Sequence, residues 1–331
     1  MAARSGQKIK IVCILDILRR YSDEENPVNS AFICEKLESM GVTAERKSVY
    51  QDISTLIDYG YDIIRATTPK KGFFLASREF ELPEIYLLAD AVKSADFITP
   101  KKTRELLSKL DGMLSRNQAK KLEKGIYMNF GNKCANEEIY YNIDSLSRAI
   151  ESGKKVSLIY SVRTLEERSI ETVSKERVIS PYALTWQDDH YYLIGNYEKY
   201  DNLIHLRIDR MRNVRVLEEK SRDFRQVSEY TEQFDVADYT NKLFSMYGGE
   251  LCEVEFNCDK SMLEQVADRF SEKIFIKNVT ENRFGFSVKA ALSDALVTWI
   301  INYGNKIEVK SPEVLRKMVK ERAEKVLEIY K

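Results

Sequence analysis

This 331-residue sequence has no excess of either charge, because 52 lysines and arginines balance 52 aspartates and glutamates. A nucleic-acid interface would therefore have to concentrate its basic residues locally. The 6 prolines and 13 glycines are too few for a long disordered segment. No apolar run approaches membrane-spanning length, and the N-terminus lacks the apolar core of a signal peptide. We therefore expect a cytoplasmic protein that makes no membrane contact.

Metal-ligating and nucleophilic residues are also scarce. The five cysteines are scattered, no pair has the Cys-x-x-Cys spacing of a metal site, and His190 and His205 are far from them in sequence. No glycine-rich phosphate loop or nucleophile elbow is present. The sequence therefore predicts reduced thiols that act as small buried hydrophobes, no metal, no cofactor and no enzymatic activity.

Helical periodicity near the N-terminus predicts three short helices. Lys8–Tyr21 has apolar residues at helical spacing. Asn29 is positioned to cap a second helix that ends at Gly41, and Thr43 to cap a third. In the third helix the apolar positions form one buried stripe: Val49, Ile53, Leu56 and Ile57.

The face opposite that stripe has the composition of a DNA-reading helix. It carries small, polar and basic residues: Ala44, Lys47, Ser48, Gln51, Ser54 and Thr55. In a major groove, Lys47 would meet phosphate or guanine, and Gln51 would pair with adenine. Arg46 lies at the flank of this face, near the helix N-terminus.

A hairpin with a basic tip follows the third helix. Two apolar strands flank Thr67–Gly72, which places Lys70 and Lys71 at the turn. Residues 1–78 therefore have the order of a winged helix-turn-helix domain. The predicted DNA contacts are Arg46, Lys47, Ser48, Gln51, Lys70 and Lys71. A small protein-interaction module is the alternative for this domain.

The rest of the chain changes periodicity twice. Residues 79–140 are helical in pattern and are interpreted as a connector. Short strands are then predicted at Val156–Tyr160, Ile170–Val173, Arg177–Ser180, Pro181–Leu184, Tyr191–Asn196, Leu203–Ile208 and Val214–Leu217. Such a series indicates a small barrel or a strongly bent sheet within residues 141–220. A linker (221–248) and a compact α+β domain (249–331) follow.

Strand alternation divides the aromatic and basic residues of that sheet between two faces. Tyr191 and Leu193 share one face and are predicted to be core residues, whereas Tyr192 points the other way. Along His205–Arg210, alternation places His205, Arg207 and Asp209 on one face. An arginine and a histidine beside aromatic rings suit a ligand with a phosphate and a flat base. A local Asp209–Arg210 ion pair is the structural alternative.

These residues resemble a known family, the bacterial transcription regulators with a winged helix-turn-helix, a WYL domain and a WCX C-terminal extension. The resemblance covers about Lys8 to Tyr330. Its best marks are Pro181-Tyr182-Ala183-Leu184, Tyr191-Tyr192-Leu193-Ile194-Gly195, His205-Leu206-Arg207-Ile208-Asp209-Arg210, and Trp299–Gly304 followed by Ser311-Pro312-Glu313. Ser48–Ile53 is similar to the family's recognition helix. Tyr191 replaces the tryptophan of the naming motif, and Gln51 stands where the family usually has arginine.

The resemblance implies an Sm-like β-barrel that binds an effector, with nucleotides and single-stranded nucleic acid as candidates. It further implies a pocket formed by Tyr160, Ser161, Tyr182, Tyr192, His205, Arg207 and Arg210. Arg207 is the residue for which we most expect a contact with an anionic effector.

The sequence thus predicts an α+β multidomain protein that binds operator DNA as a homodimer and responds to an anionic effector. Two alternatives remain open. One is an enzyme that acts on nucleotides or oligonucleotides, which turnover by the purified protein would reveal. The other is an accessory nucleic-acid-binding protein without a promoter role, which genome-wide occupancy would distinguish.

Overall fold

The structure is a computed structural model that describes residues 7–124, 133–166, 169–270 and 274–331. It divides into two compact units, Met1–Ala135 and Asn136–Lys331. Part of the predicted connector, residues 125–132, lies outside the described residues.

Three helices and a hairpin open the N-terminal unit. They are α1 (Gln7–Tyr21), α2 (Ser30–Ser39), α3 (Arg46–Asp58), β1 (Ile63–Ala66) and β2 (Gly72–Leu75). Asn29 caps α2 as predicted, because its side chain accepts a hydrogen bond from the Phe32 N–H. The N-cap of α3, however, is Glu45 and not Thr43, and Ala44 packs against the core before the helix begins.

The core of these elements lies between the helices and the inner face of the hairpin. Its fully buried side chains include Ile14, Leu18, Ile33, Leu37 and Val49. Gly72 is required at the start of β2, because a Cβ there would lie 2.6 Å from the Val28 carbonyl oxygen. This close approach lets Val28 and Phe73 exchange two backbone hydrogen bonds of 2.9 and 2.7 Å.

A second helical layer completes the N-terminal unit with α4 (Leu82–Ser94), α5 (Pro100–Asp111) and α6 (Arg116–Lys124). Polar contacts join it to the first layer. The Arg78 guanidinium bridges the layers, because it donates to the carbonyl oxygens of Ser22 (2.7 Å) and Arg19 (2.9 Å) and to that of Met113 (3.4 Å) after α5. The Ser115 hydroxyl donates to the buried Asp23 carboxylate. The connector is therefore a packed part of this unit.

An antiparallel sheet opens the C-terminal unit. Helix α7 (Ile139–Ser152) precedes β3 (Lys154–Glu166), β4 (Ser169–Gln187), β5 (His190–Asn196), β6 (Ile204–Arg207) and β7 (Met211–Lys220), and the strand order is β6-β5-β4-β3-β7. Asp188 and Asp189 form the two-residue β4–β5 turn at positive φ, 48° and 57°.

The sheet is open, so the Sm-like barrel implied by the resemblance is not confirmed. Among the described strands, the edge strands β6 and β7 do not pair with each other. The chain leaves β6 after four residues through a 3₁₀ turn, Ile208–Arg210, so β6 is too short to continue a ladder to β7. Asp209 consequently belongs to this turn and not to the strand in which alternation was expected to place it.

Three of the strands, β3, β4 and β7, are much longer than predicted. The three segments expected between Ile170 and Leu184 form the single strand β4, which pairs with β3 from Ser169 to Ile179 and with β5 from Ser180 onward. Pro181 is accommodated at a β-bulge in the pairing with β5. β7 and β5 reach only to Tyr160 on β3 and Ser180 on β4. Beyond these positions β3 and β4 pair only with each other in the described chain.

The last part of the unit is an α+β domain, as predicted. It contains β8 (Leu251–Asp259), α9 (Leu263–Phe270), β9 (Ile276–Lys277), β10 (Arg283–Ala291), α10 (Asp294–Asn302), β11 (Ile307–Ser311) and α11 (Glu313–Ile329), after the short helix α8 (Val236–Asn241). The strand order is β11-β8-β10-β9, and Phe256, Phe286 and Leu296 lie in its core. None of the helices in the described ranges is both long and apolar enough to cross a bilayer.

Candidate functional site

The outward face of α3 presents three of the six predicted DNA contacts. Arg46, Lys47 and Gln51 are exposed, and so are Ser54 and Thr55, about one turn after Gln51. Ser48 is different: it is half-buried and accepts a hydrogen bond from the Lys10 ammonium. Ser48 therefore fastens α3 to α1, which removes its hydroxyl from the exposed face.

An ion pair beneath that face fixes the position of α3. The Lys10 Nζ lies 2.8 Å from a carboxylate oxygen of Asp52, and the two side chains are 9% and 18% exposed. Because Lys10 is on α1 and Asp52 is on α3, the pair holds the two helices together from within. The exposed side chains of α3 therefore project from a braced helix.

The hairpin extends the polar face of α3. The Tyr50 ring packs edge-to-face on Phe73, with ring centroids 5.4 Å apart, and the Arg65 guanidinium lies 5.9 Å from the Tyr50 ring centroid. Both Tyr50 and Arg65 are exposed, and the sequence reasoning did not single them out. The sequence feature that pointed to Tyr50 was its position three residues after Lys47, at the flank of the polar helix face.

The two lysines of the hairpin loop have different surroundings. The Lys70 ammonium donates to the Asn26 side-chain oxygen at 3.1 Å and to the Glu25 carbonyl oxygen at 3.3 Å. Lys71 is exposed beside it. Lys70 therefore fixes the loop against the α1–α2 turn, and Lys71 is the better placed of the two to contact a phosphate.

The face of the first sheet that carries the predicted effector residues is covered by the segment 221–248, predicted as a linker. Tyr182 packs near Phe224 and Phe234, with ring centroids 6.3 and 6.4 Å apart. Tyr192 packs against a cluster that includes Ile194 and Tyr239. Burial raises the pKa of Tyr182 to about 12 and raises that of Tyr192. Both rings are therefore neutral packing groups here.

His205 is held by this covering segment. Its Nε2 lies 2.9 Å from the Tyr239 hydroxyl, and the two rings stack with centroids 5.7 Å apart. Burial lowers the pKa of His205 to about 4. The ring is therefore uncharged at neutral pH, which makes it a weaker attractor of an anion than the sequence suggested. Its contact with an effector stays a prediction.

A pH dependence of stability follows from this burial. The unfolded state binds a proton as the pH falls through about 6.5, the ordinary pKa of histidine, whereas folded His205 binds one only near pH 4. The stabilisation is therefore complete above pH 6.5 and is lost as the pH falls towards 4, by up to ~3 kcal/mol. Urea unfolding followed through tryptophan fluorescence should show this decline, and His205→Phe should flatten it. An equally steep decline in His205→Phe would contradict this origin.

Arg207 is bound by a neighbouring carboxylate. Its Nε and Nη2 donate to the two Asp209 oxygens at 3.0 and 2.7 Å, and its backbone N–H donates to the Tyr160 hydroxyl at 3.3 Å. The Asn136 side chain donates to the carbonyl oxygens of Asp209 and Met211, which braces the turn. Asp209 thus occupies the two guanidinium N–H groups of Arg207 that would bind a phosphate. The Asp209 ion pair forms with Arg207 and not with Arg210.

The seven predicted effector residues have different surroundings. Tyr182 and His205 contact the covering segment. Tyr192 pairs directly with Arg207 across β5 and β6, and the Tyr160 hydroxyl accepts from the Arg207 N–H. The Ser161 hydroxyl is 2.9 Å from that of Ser174, on the hairpin formed by β3 and β4. Arg210 is exposed.

A cleft of about 700 Å³ opens between the end of the first sheet and the covering segment. His205, Glu229, Tyr230, Tyr239 and Gly248 contribute to its walls. Most of these residues come from the segment predicted as a linker, so the sequence reasoning missed it. The clustered aromatic residues between 224 and 239 were its available signal. In the described ranges, no group of histidine, cysteine, aspartate and glutamate side chains could hold a metal ion.

Two stretches of the C-terminal unit match known domains. Residues 141–216 match the WYL domain, and residues 250–327 match the WCX domain. No curated protein matches the chain. Among solved structures, proteasome accessory factor B/C (PafBC) of Arthrobacter aurescens is similar over 97% of this chain and 50% of that chain, at 13% identity and a TM-score of 0.29. The present chain thus spans about half the length of that one.

Proposed function

We propose that this chain, which contains a WYL domain followed by a WCX domain, is a transcription regulator that binds double-stranded DNA. The observation that carries the proposal is the exposed polar and basic face of α3, beside a hairpin with Lys71 at its tip. Three helices followed by such a hairpin have the order of a winged helix-turn-helix, with α3 as the helix that enters the major groove. Regulation, and not catalysis, is the role that we assign to the chain.

The regulator acts as a homodimer that places two α3 helices in successive major grooves. Its WYL domain senses an anionic effector, a nucleotide or single-stranded nucleic acid. Arg207 supports this assignment, because its guanidinium already binds a carboxylate in bidentate geometry. The effector phosphate displaces Asp209 from Arg207 and so changes the turn Ile208–Arg210. This is allostery in so far as the effector binds the two DNA-affinity states unequally.

Salt dependence tests the DNA-binding half of the proposal. With a site selected from random duplexes, Lys47→Ala and Lys71→Ala should each lower the slope of log K against log salt by about 1.8, because each removes one phosphate contact in both subunits of the dimer. Lys70→Ala should lower it less, because its ammonium is bound within the protein. Gln51→Ala should keep the slope but weaken specific binding by about 1–3 kcal/mol.

The matched control is Lys320→Ala, since Lys320 is an exposed lysine of α11. It should leave both the slope and the affinity unchanged. Unchanged slopes for Lys47→Ala and Lys71→Ala would refute the phosphate contacts. No selected sequence at all would refute the regulator.

The effector half is tested at Arg207. Operator binding is titrated with ATP, GTP and short single strands, and Arg207→Ala should abolish whichever response the native protein shows. Asp209→Asn should instead strengthen the response, by about tenfold in ligand concentration, because it weakens the internal competitor for the guanidinium. An unaltered response in Arg207→Ala would show that the effector binds elsewhere.

A further inference from the structure

The paired ends of β3 and β4 form a two-stranded ribbon that extends beyond the first sheet. We define the ribbon as residues 161–166 and 169–174, which pair from Ser161↔Ser174 to Glu166↔Ser169. At its base, β4 continues as Lys175 to Val178, opposite Tyr160 to Ser157. Every residue from Ser169 to Val178 is exposed. An isolated two-stranded hairpin is marginally stable in water, so a ribbon of this length calls for a partner surface.

One face of the ribbon has an apolar centre. Val162 and Val173 are directly opposite each other in the register, and they are 44% and 38% exposed. Because side chains alternate along a strand, residues two positions away share this face. Lys175 therefore lies on one side of the valine pair, and Glu171 on the other.

The charges on this face change sign along its length. Towards the base of the ribbon, the face carries Lys175 and then Arg177, whose guanidinium lies 5.7 Å from the Tyr197 ring centroid. Towards the tip it carries Glu171 and then Glu166, both exposed. The face therefore has a basic end, an apolar centre and an acidic end. A second copy of the same face, laid on it antiparallel, would place its acidic end on the basic end of the first.

We propose that this face is the contact between two copies of the chain. The two-fold axis lies between the two copies and runs parallel to the line from Val162 to Val173. It stacks the valines of one copy on those of the other. The same axis places Lys175 of each copy against Glu171 of the other, because the two residues are equally far from Val173. In such an isologous contact, symmetry forms each residue pair twice. A nucleic-acid partner fits this face less well, because its acidic end would repel phosphate.

The contact gives the proposed homodimer its surface, and to that extent it rests on the proposed function. It also adjoins the effector residues. Tyr160 lies on the same face, two positions from Val162, and its hydroxyl accepts the hydrogen bond from the Arg207 N–H. Dimer contact and effector site therefore share one tyrosine.

Charge exchange across the two-fold axis tests the contact. Sedimentation of the full chain without DNA should give a dimer, twice 38.5 kDa. Lys175→Glu and Glu171→Lys should each raise the dimer dissociation constant at least about tenfold, because the axis doubles every change. The double variant should recover the native constant, since the exchanged charges again attract. Val173→Glu should give a monomer.

Arg163→Glu is the matched control, because Arg163 lies on the opposite face of the same ribbon. It should leave the dimer intact, and circular dichroism should show native folding for all variants. A monomeric native chain, or a double variant as weak as the single ones, would overturn the contact. Failure of the DNA-binding proposal is read separately: Lys175→Glu should still bind a single half-site with native intrinsic affinity, and its loss there would implicate the N-terminal unit instead.

Discussion

Gly249→Ala is expected to destabilise the WCX domain by about 3 kcal/mol, the upper part of the range for overpacking. A Cβ on Gly249 would lie 1.9 Å from the Leu292 carbonyl oxygen. That oxygen belongs to the backbone, and backbone hydrogen bonds hold its surroundings: Leu292 N–H donates to Glu250, and Ala291 N–H donates to Lys242, both at 2.9 Å. No side-chain rotation can relieve the clash. The backbone at Gly249 must therefore move away from the backbone at Leu292, just after β10.

Trp299 reports this effect, because its ring packs in the core of the WCX domain near Phe244 and Phe270. The measurement is urea unfolding by fluorescence in a Trp186→Phe background, so that Trp299 is the only tryptophan. Gly248→Ala is the matched control, because its Cβ would meet the His205 ring at an ordinary 3.4 Å. Equal midpoints for the two variants would contradict the close approach at Gly249.

Lys10→Ala is expected to destabilise the packing of α1 against α3 by about 3 kcal/mol. The substitution leaves the Asp52 carboxylate largely buried without its cation, and it removes the donor to Ser48. Hydrogen–deuterium exchange should be faster by roughly 100-fold in the peptides of α1 and α3 that open together. Specific DNA affinity should fall as well, since α3 loses its brace.

Two comparison variants separate burial from charge. Arg20→Ala removes a cation from the same helix, but the Arg20–Asp16 pair is 60% and 40% exposed and should contribute less than about 0.5 kcal/mol. The paired substitution Lys10→Met with Asp52→Leu should recover most of the lost protection, because no charge stays buried. Equal exchange rates in Lys10→Ala and Arg20→Ala would refute the structural role of the buried pair.

Local patterns predicted the N-terminal elements because their signals are local. The 3.6-residue period identified Val49 and Ile53 as core residues of α3, and Asn29 was found from its capping chemistry. Helical periodicity placed Ser48 on the exposed polar face of α3, whereas in the structure its hydroxyl accepts a hydrogen bond from Lys10. Its partner, Lys10, is 38 residues away in sequence, so only tertiary packing shows that this hydroxyl faces inward.

The effector region was less predictable, because its geometry depends on contacts between distant segments. Alternation correctly placed Leu193 in the core. It could not show that a 3₁₀ turn brings Asp209 back to Arg207, since strand and turn have similar short-range composition. Nor could it show that Tyr239 covers His205 from 34 residues away. The sequence pattern predicted β4 as separate segments. Its continuity depends on hydrogen bonds to a neighbouring strand, and local periodicity does not show such pairing.

In the regulator that we propose, Tyr160 couples the response to ligand with self-association. Its ring belongs to the face that we assign to the dimer, and its hydroxyl touches the backbone of Arg207. Thermodynamic linkage then requires reciprocity: the factor by which an effector changes the dimer constant equals the factor by which dimerisation changes effector affinity. The response to a fixed ligand dose should therefore vary with the concentration of the protein itself. A cell could retune such a sensor through its expression level alone, without altering a single residue of the binding site.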